Sequence, residues 1–227
     1  IDTEAWGWGD EHRAQPLAVS ITQTTELGTA YTGAEVKASA DHVHARGMKR
    51  HVDGSRLANA AASLQVPLRA FTTDAGVDIL SFGGTKNGLL YGEAVIVLNP
   101  DASDGLHFLR KLNMQLASKM RFVSAQLIAL LSNTLWIDSA GHANDMAAHL
   151  RRSLEHGIEA GAITGLAFTQ ETQANAVFAT LPGDAANRIR EQFASMTGTR
   201  PPARCAGCAL STRQKPTSTP LSPQSRG

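Results

Sequence analysis

An α/β fold with a mainly parallel sheet is predicted by three features of this 227-residue sequence. Short β-branched apolar runs alternate with helical patterns, Gly-rich breaks follow those runs, and 42% hydrophobic content suffices for a sizeable core. Residues 17–22 (LAVSIT) read as a buried strand followed by a polar loop. Thr32-Gly33-Ala34-Glu35 is a capping box, and Val36, Ala40 and Val43 behind it keep helical spacing until Gly47 stops the helix. Residues 48–52 form a second strand ending at Asp53 and Gly54, and residues 56–64 a second, Ala- and Leu-rich helix. Residues 77–82 alternate apolar and polar before Gly83-Gly84, and a strand over 94–98 stops at Pro100. Apolar positions nearly all round residues 106–131 predict one long buried connecting helix, with an amphipathic helix over 139–156 after it. Residues 176–181 and a helix over 184–193 open a smaller α+β unit.

The formal charge of +1 hides a split. Residues 194–227 hold Arg200, Arg204, Arg213, Lys215 and Arg226 and no acid, which leaves 16 basic against 20 acidic residues in the first 193, a balance of −4. The main body therefore lacks the basic stripe that holds a nucleic-acid backbone. No run approaches the roughly 18 apolar residues of a membrane span, and the expected setting is cytoplasmic. Cys205 and Cys208 both lie in the tail; one CxxC without a second pair or a histidine is not a metal site, so none is expected.

Two clusters carry chemistry: His51-Val52-Asp53-Gly54-Ser55-Arg56, and Ser81-Phe82-Gly83-Gly84-Thr85-Lys86. Each begins where a strand ends, and ligands of open α/β sheets bind beyond the carboxyl ends of strands. Pyridoxal phosphate (PLP) chemistry needs a lysine to form a Schiff base and a carboxylate to keep the pyridine nitrogen protonated; Lys86 and Asp53 can supply that pair. Taken singly, a strand-end Asp before Gly is more often a turn and a Lys among glycines a solvated loop residue. GGTK alone also lacks the spacing of a phosphate loop.

Residues 51–64 (HVDGSRLANAAASL) and 81–100 (SFGGTKNGLLYGEAVIVLNP) resemble blocks of the low-specificity L-threonine aldolases, PLP-dependent enzymes of the aspartate-aminotransferase-like fold type I. Residues 19–32 (VSITQTTELGTAYT) and 112–127 (LNMQLASKMRFVSAQL) are similar to that family too, so the resemblance runs from Ile1 to Phe193. It implies that residues 1–110 are the C-terminal half of the PLP-binding large domain and 111–193 a connecting helix and incomplete small domain. It implies Lys86 as the Schiff-base lysine, Asp53 as partner of the pyridine nitrogen, and Arg56 near the cofactor's O3′ and the substrate carboxylate. Arg121 resembles an arginine that reaches a cofactor phosphate across a subunit interface; a helix-surface arginine is the equal alternative. His12 is either a neighbour of the substrate hydroxyl or, the better reading, a surface histidine.

The implied reaction is retro-aldol cleavage of L-threonine or L-allo-threonine to glycine and acetaldehyde, in threonine catabolism and glycine formation by a cytoplasmic homotetramer. Alternatives are a β-eliminating PLP lyase and a non-catalytic remnant. The chain departs from the family pattern in three ways. Its first residues resemble the middle of the large domain, so the front of that domain is expected to be absent from this chain. Met48-Lys49-Arg50-His51 places charge in a strand, where Arg50 either occupies a solvated start or sits unpaired at a cost of several kcal/mol. Residues 194–227 hold five of nine prolines, five Ser and five Thr, a composition that predicts disorder. Shifting the reading frame after Phe193 permits Phe-Tyr-Asp-Trp-Asp and Arg-Trp-Met-Cys-Ala-Phe-Asp, both like an aldolase ending, so a frameshifted tail is expected.

Overall fold

The computed structural model describes residues 1–193 and two short strands, Ser195–Thr197 and Cys208–Leu210. Its main sheet has the order β1-β2-β3-β4, formed by Ala18–Thr22, Lys49–Gly54, Ile79–Gly83 and Glu93–Val97. The first three strands are parallel and β4 is antiparallel to β3. β1 lies at the sheet edge and is only partly buried, unlike the buried strand predicted, because β2 pairs with it on one side only.

Helix α1 (Gly33–His44) starts at the predicted capping box: Thr32 Oγ1 accepts from Glu35 N, and the Glu35 carboxylate accepts from Thr32 N. Val36, Ala40 and Val43 are its buried positions. Helix α2 (Leu57–Leu64) follows β2 directly. Val36, Leu57, Ala60, Ala61 and Phe71 pack with Val52, Leu80 and Phe82 of the sheet in one core. Removing such side chains from water is the main term holding these layers together, at about 25 cal/mol per Å².

Arg50 shares the core-facing side of β2 with Val52 and is 1% exposed, so a solvated strand start is ruled out. Its Nε and Nη1 lack hydrogen-bond partners among the described residues, and burial lowers its pKa against the opposing influence of Tyr31.

The single long helix predicted over 106–131 is instead two: α3 (Leu106–Leu112) and α4 (Arg121–Leu131). Met114 and Lys119, with φ of 57° and 60°, take left-handed backbone between them and interrupt helical hydrogen bonding. Phe108, Leu112 and Met114 are 70, 78 and 88% exposed, so α3 is not the buried element its composition suggested. Helix α5 (Leu135–Glu159) is longer than its amphipathic stretch and packs on α2, where Asn59 Nδ2 donates to Ala140 O and Asn144 Nδ2 donates to Asn59 O.

A second sheet, order β5-β6-β8-β7, joins Ala167–Phe168 and Phe178–Thr180 to Cys208–Leu210 and Ser195–Thr197, all antiparallel. Helix α6 (Ala185–Gln192) lies between β6 and β7 in the chain. Of the tail predicted to be disordered, only those two strands are described. The rest of that expectation, with Cys205 and the frameshift, lies outside the described residues.

Candidate active site

β2 and β3 lie side by side with Asp53 opposite Ser81 and Gly54 opposite Phe82, so the two motif loops leave the same end of the sheet. Side chains alternate along strands; Ser20 of β1, His51 and Asp53 of β2 and Ser81 of β3 therefore share one face, opposite the core face of Val52, Leu80 and Phe82. The loop after β1 is tied to the same place: Gln23 N donates to Asp53 O (2.8 Å), while the Gln23 amide donates to Tyr31 O and accepts from Tyr31 N.

Asp53 is half-buried and its Oδ1 accepts from both the amide (2.9 Å) and the hydroxyl (2.6 Å) of Ser55. The Ser55 hydroxyl holds the Asp53 carboxyl below the ordinary carboxylate range. Burial opposes it, and the Ser55 amide and the charges of Lys86 and His51 act with it. Among the described residues Oδ2 accepts no hydrogen bond. The outcome is an ionised carboxylate, fixed through one oxygen and open at the other.

Lys86 is exposed in a 3-10 turn, Thr85–Asn87, that follows β3. Both neighbours are anchored: Thr85 Oγ1 donates to Glu93 Oε1 (2.6 Å) and buried Asn87 Nδ2 donates to Trp136 O (2.8 Å). Glycine closes the turn at Gly88, whose φ of +104° disfavours other residues. Gly83 has a different reason, because a Cβ there would stand 2.6 Å from Ser55 Cα. The glycine lets one motif loop touch the other, rather than opening room for a ligand.

The structure thus brings Asp53 and Lys86 together. Arg56 is half-buried at the N-cap of α2; its carbonyl accepts from Ala60 N, and its side chain forms no hydrogen bond or ion pair among the described residues. Arg121, exposed as the first residue of α4, has its guanidinium 5.4 Å from the Phe122 ring centroid, and no contact joins it to Asp53 or Lys86. His12 is on the surface beside Glu11, its side chain 87% exposed. The sequence reading missed Ser55, which fixes Asp53, and His51, whose Nδ1 is 2.7 Å from Ser20 Oγ and whose Nε2 is 2.9 Å from Ser81 Oγ. Polar residues at alternate positions of neighbouring strands are the signal that could have found them. Among the described residues, no three or more His, Cys, Asp or Glu cluster to hold a metal, and no helix is long and apolar enough to cross a membrane.

The family described as beta-eliminating lyase matches residues 7–181. The chain belongs to this family. Within it, low specificity L-threonine aldolases from a Pseudomonas species and from Pseudomonas aeruginosa are 38% and 36% identical over 81% and 80% of the chain. The chain spans about half the length of these curated relatives, 51% in each case. Threonine aldolase from Leishmania major superposes with a TM-score of 0.77 at 27% identity, over 89% of this chain and 57% of that one. A tryptophan decarboxylase from Catharanthus roseus, at 17% identity and a TM-score of 0.58 over 86% of this chain and 46% of that one, shares the fold. The architecture is that of the PLP-dependent fold type I enzymes.

The donor set of this family member fits PLP. A protonated pyridine nitrogen calls for an ionised carboxylate with a free oxygen, which Asp53 offers. A cofactor aldehyde calls for an accessible amine, which Lys86 offers from the turn after the next strand.

Proposed function

We propose that this chain carries the lysine and aspartate of a PLP site whose whole protein cleaves β-hydroxy-α-amino acids, L-threonine and L-allo-threonine among them, to glycine and an aldehyde. The observation that carries the reading is the placement of Lys86 within electrostatic reach of Asp53 at the carboxyl ends of adjacent parallel strands. The names of the Pseudomonas and Leishmania relatives support the substrate class.

When bound, PLP supplies an electron sink for the bond broken at the amino-acid Cα. Asp53, kept ionised by Ser55, holds a proton on the ring nitrogen through its open Oδ2. Lys86, on its anchored turn, would hold the cofactor through its amine, the group that an aldehyde cofactor requires. Arg56, three residues past Asp53 and with no side-chain partner among the described residues, would offer guanidinium donors to the cofactor O3′ and the substrate carboxylate. Arg121 serves a cofactor phosphate, from a neighbouring subunit of a homo-oligomer such as a tetramer. The setting is cytoplasmic, in threonine breakdown and glycine formation.

The test is to add PLP to the chain, reduce with borohydride and locate the modified peptide by mass spectrometry. Label on Lys86, lost in Lys86→Ala, is expected; label spread over surface lysines overturns the reading. Incubation of the unreduced, PLP-loaded chain with L-threonine separates aldol cleavage, yielding glycine and acetaldehyde, from β-elimination, the second reading favoured by the family's description.

A further inference from the structure

The imidazole of His51 is held at both nitrogens by hydroxyl groups from the two flanking strands: Ser20 Oγ on Nδ1 at 2.7 Å and Ser81 Oγ on Nε2 at 2.9 Å. Nothing in the aldol reading uses this chain of three residues, yet it lies on the face that carries Asp53. Ser81 is the cross-strand partner of Asp53, and neighbouring strands of a sheet lie roughly 5 Å apart.

We propose that His51 is a positioning residue for Asp53, fixing the Ser81 hydroxyl with its proton free to turn toward the carboxylate and the ring that the carboxylate holds. The inference rests on the PLP reading above. The argument is one of donor and acceptor counting. A neutral imidazole has one N–H and one bare nitrogen, so one serine donates to the ring and the other accepts from it. Ser20 is exposed on the edge strand, where water satisfies its lone pairs, so its O–H is free to donate to Nδ1. Nε2–H then donates to Ser81 Oγ, and the Ser81 proton is left for a second partner. The reverse tautomer would consume that proton and present Asp53 with lone pairs only. Burial works against a charged ring, and so does Arg50; the Asp53 carboxylate opposes both.

The test has two arms. In the 227-residue chain without cofactor, long-range ¹H–¹⁵N NMR of the histidine side chains at pH 7 is expected to show His51 bare at Nδ1 and protonated at Nε2, with Ser20→Ala mixing the tautomers. A ring protonated at Nδ1 alone, or at both nitrogens, overturns the proposal whatever the chain does with PLP. In the second arm PLP is titrated and the visible band of the lysine-bound cofactor followed. His51→Ala is expected to weaken binding about tenfold, the effect of roughly 1.4 kcal/mol, and to change the pH profile of the band, while His51→Gln, whose amide can still donate to Ser81, recovers most of it. Equal loss in both variants with an unchanged pH profile assigns His51 a packing role and overturns the proposal. Absence of any Lys86-dependent band in the parent chain overturns the PLP reading and, with it, the functional role given to His51.

Discussion

Ser55 holds Asp53 by two hydrogen bonds to a single oxygen, the amide at 2.9 Å and the hydroxyl at 2.6 Å, leaving the other oxygen open. Ser55→Ala removes the largest of the influences that keep the carboxyl ionised. Its pKa is expected to rise, read from the Asp53 carboxyl ¹³C shift during titration; the removed hydrogen bond corresponds to about 1 kcal/mol of stability. Because the folded pKa is depressed, the stabilising contribution exists above the unfolded value and fades as pH falls through the folded one. An unchanged titration in the variant would show that Lys86 or the Ser55 amide governs Asp53.

At the opposite end of β3, Asp78 is 1% exposed and accepts from Arg50 N (2.6 Å), His44 Nε2 (2.7 Å) and Asn99 Nδ2. Burial pushes its carboxyl up, but these donors together more than reverse that, and the pKa is lowered. Its stabilisation is therefore complete above the ordinary carboxylate value of 3.8 and is lost as pH drops through the lower folded value. Asp78→Asn turns an amide N–H₂ toward donors, and should cost about 2–4 kcal/mol at neutral pH and flatten the acid limb of the stability curve in urea melts. Parent and variant acid limbs of the same steepness would contradict this assignment.

Gly83→Ala places a methyl 2.6 Å from Ser55 Cα and 3.0 Å from Ser55 O, both backbone atoms that cannot swing away. A loss of about 1–3 kcal/mol is expected from such overpacking, together with weaker PLP capture as the turn at Asp53 is pushed aside. Thermal unfolding and the borohydride labelling assay read the two effects separately; a neutral substitution would mean that the loops do not touch in solution.

Arg50→Met is expected to stabilise. The guanidinium is buried with Nε and Nη1 unpartnered among the described residues, and an orphaned buried donor costs about 1–3 kcal/mol. Methionine fills a similar length without polar atoms, and the Arg50 backbone bond to Asp78 is retained. A lower melting temperature in the variant would show that the arginine has a partner in solution.

Much of the fold could be read from local pattern. The capping box at Thr32 and Glu35 acts within one helical turn, so its geometry is encoded in four adjacent residues. Asp53 and Lys86 were legible for a related reason, since each follows a strand end and parallel strands deliver their carboxyl ends to one edge. Residues 106–131 misled because apolar side chains all round a helix do not say whether this chain covers them. Phe108 and Leu112 are exposed, and the break at Met114 and Lys119 has no Gly or Pro to announce it. Nor could the contacts of His51 be foreseen: Ser20 and Ser81 are 31 and 30 residues away, and only strand register sets them on its two sides.

Helix α5 joins α2 to the second sheet. Near its start Ala140 and Asn144 engage Asn59 of α2; farther along, Arg151 donates to Gln170 O and stacks 3.5 Å over the Phe168 ring. Asn144 and Arg151 are separated by about 10 Å of rigid helix, and Asn59 stands three residues beyond Arg56. One rigid helix therefore spaces the second sheet from α2, and the position of Arg56 at the N-cap of α2 is braced from both ends of that strut.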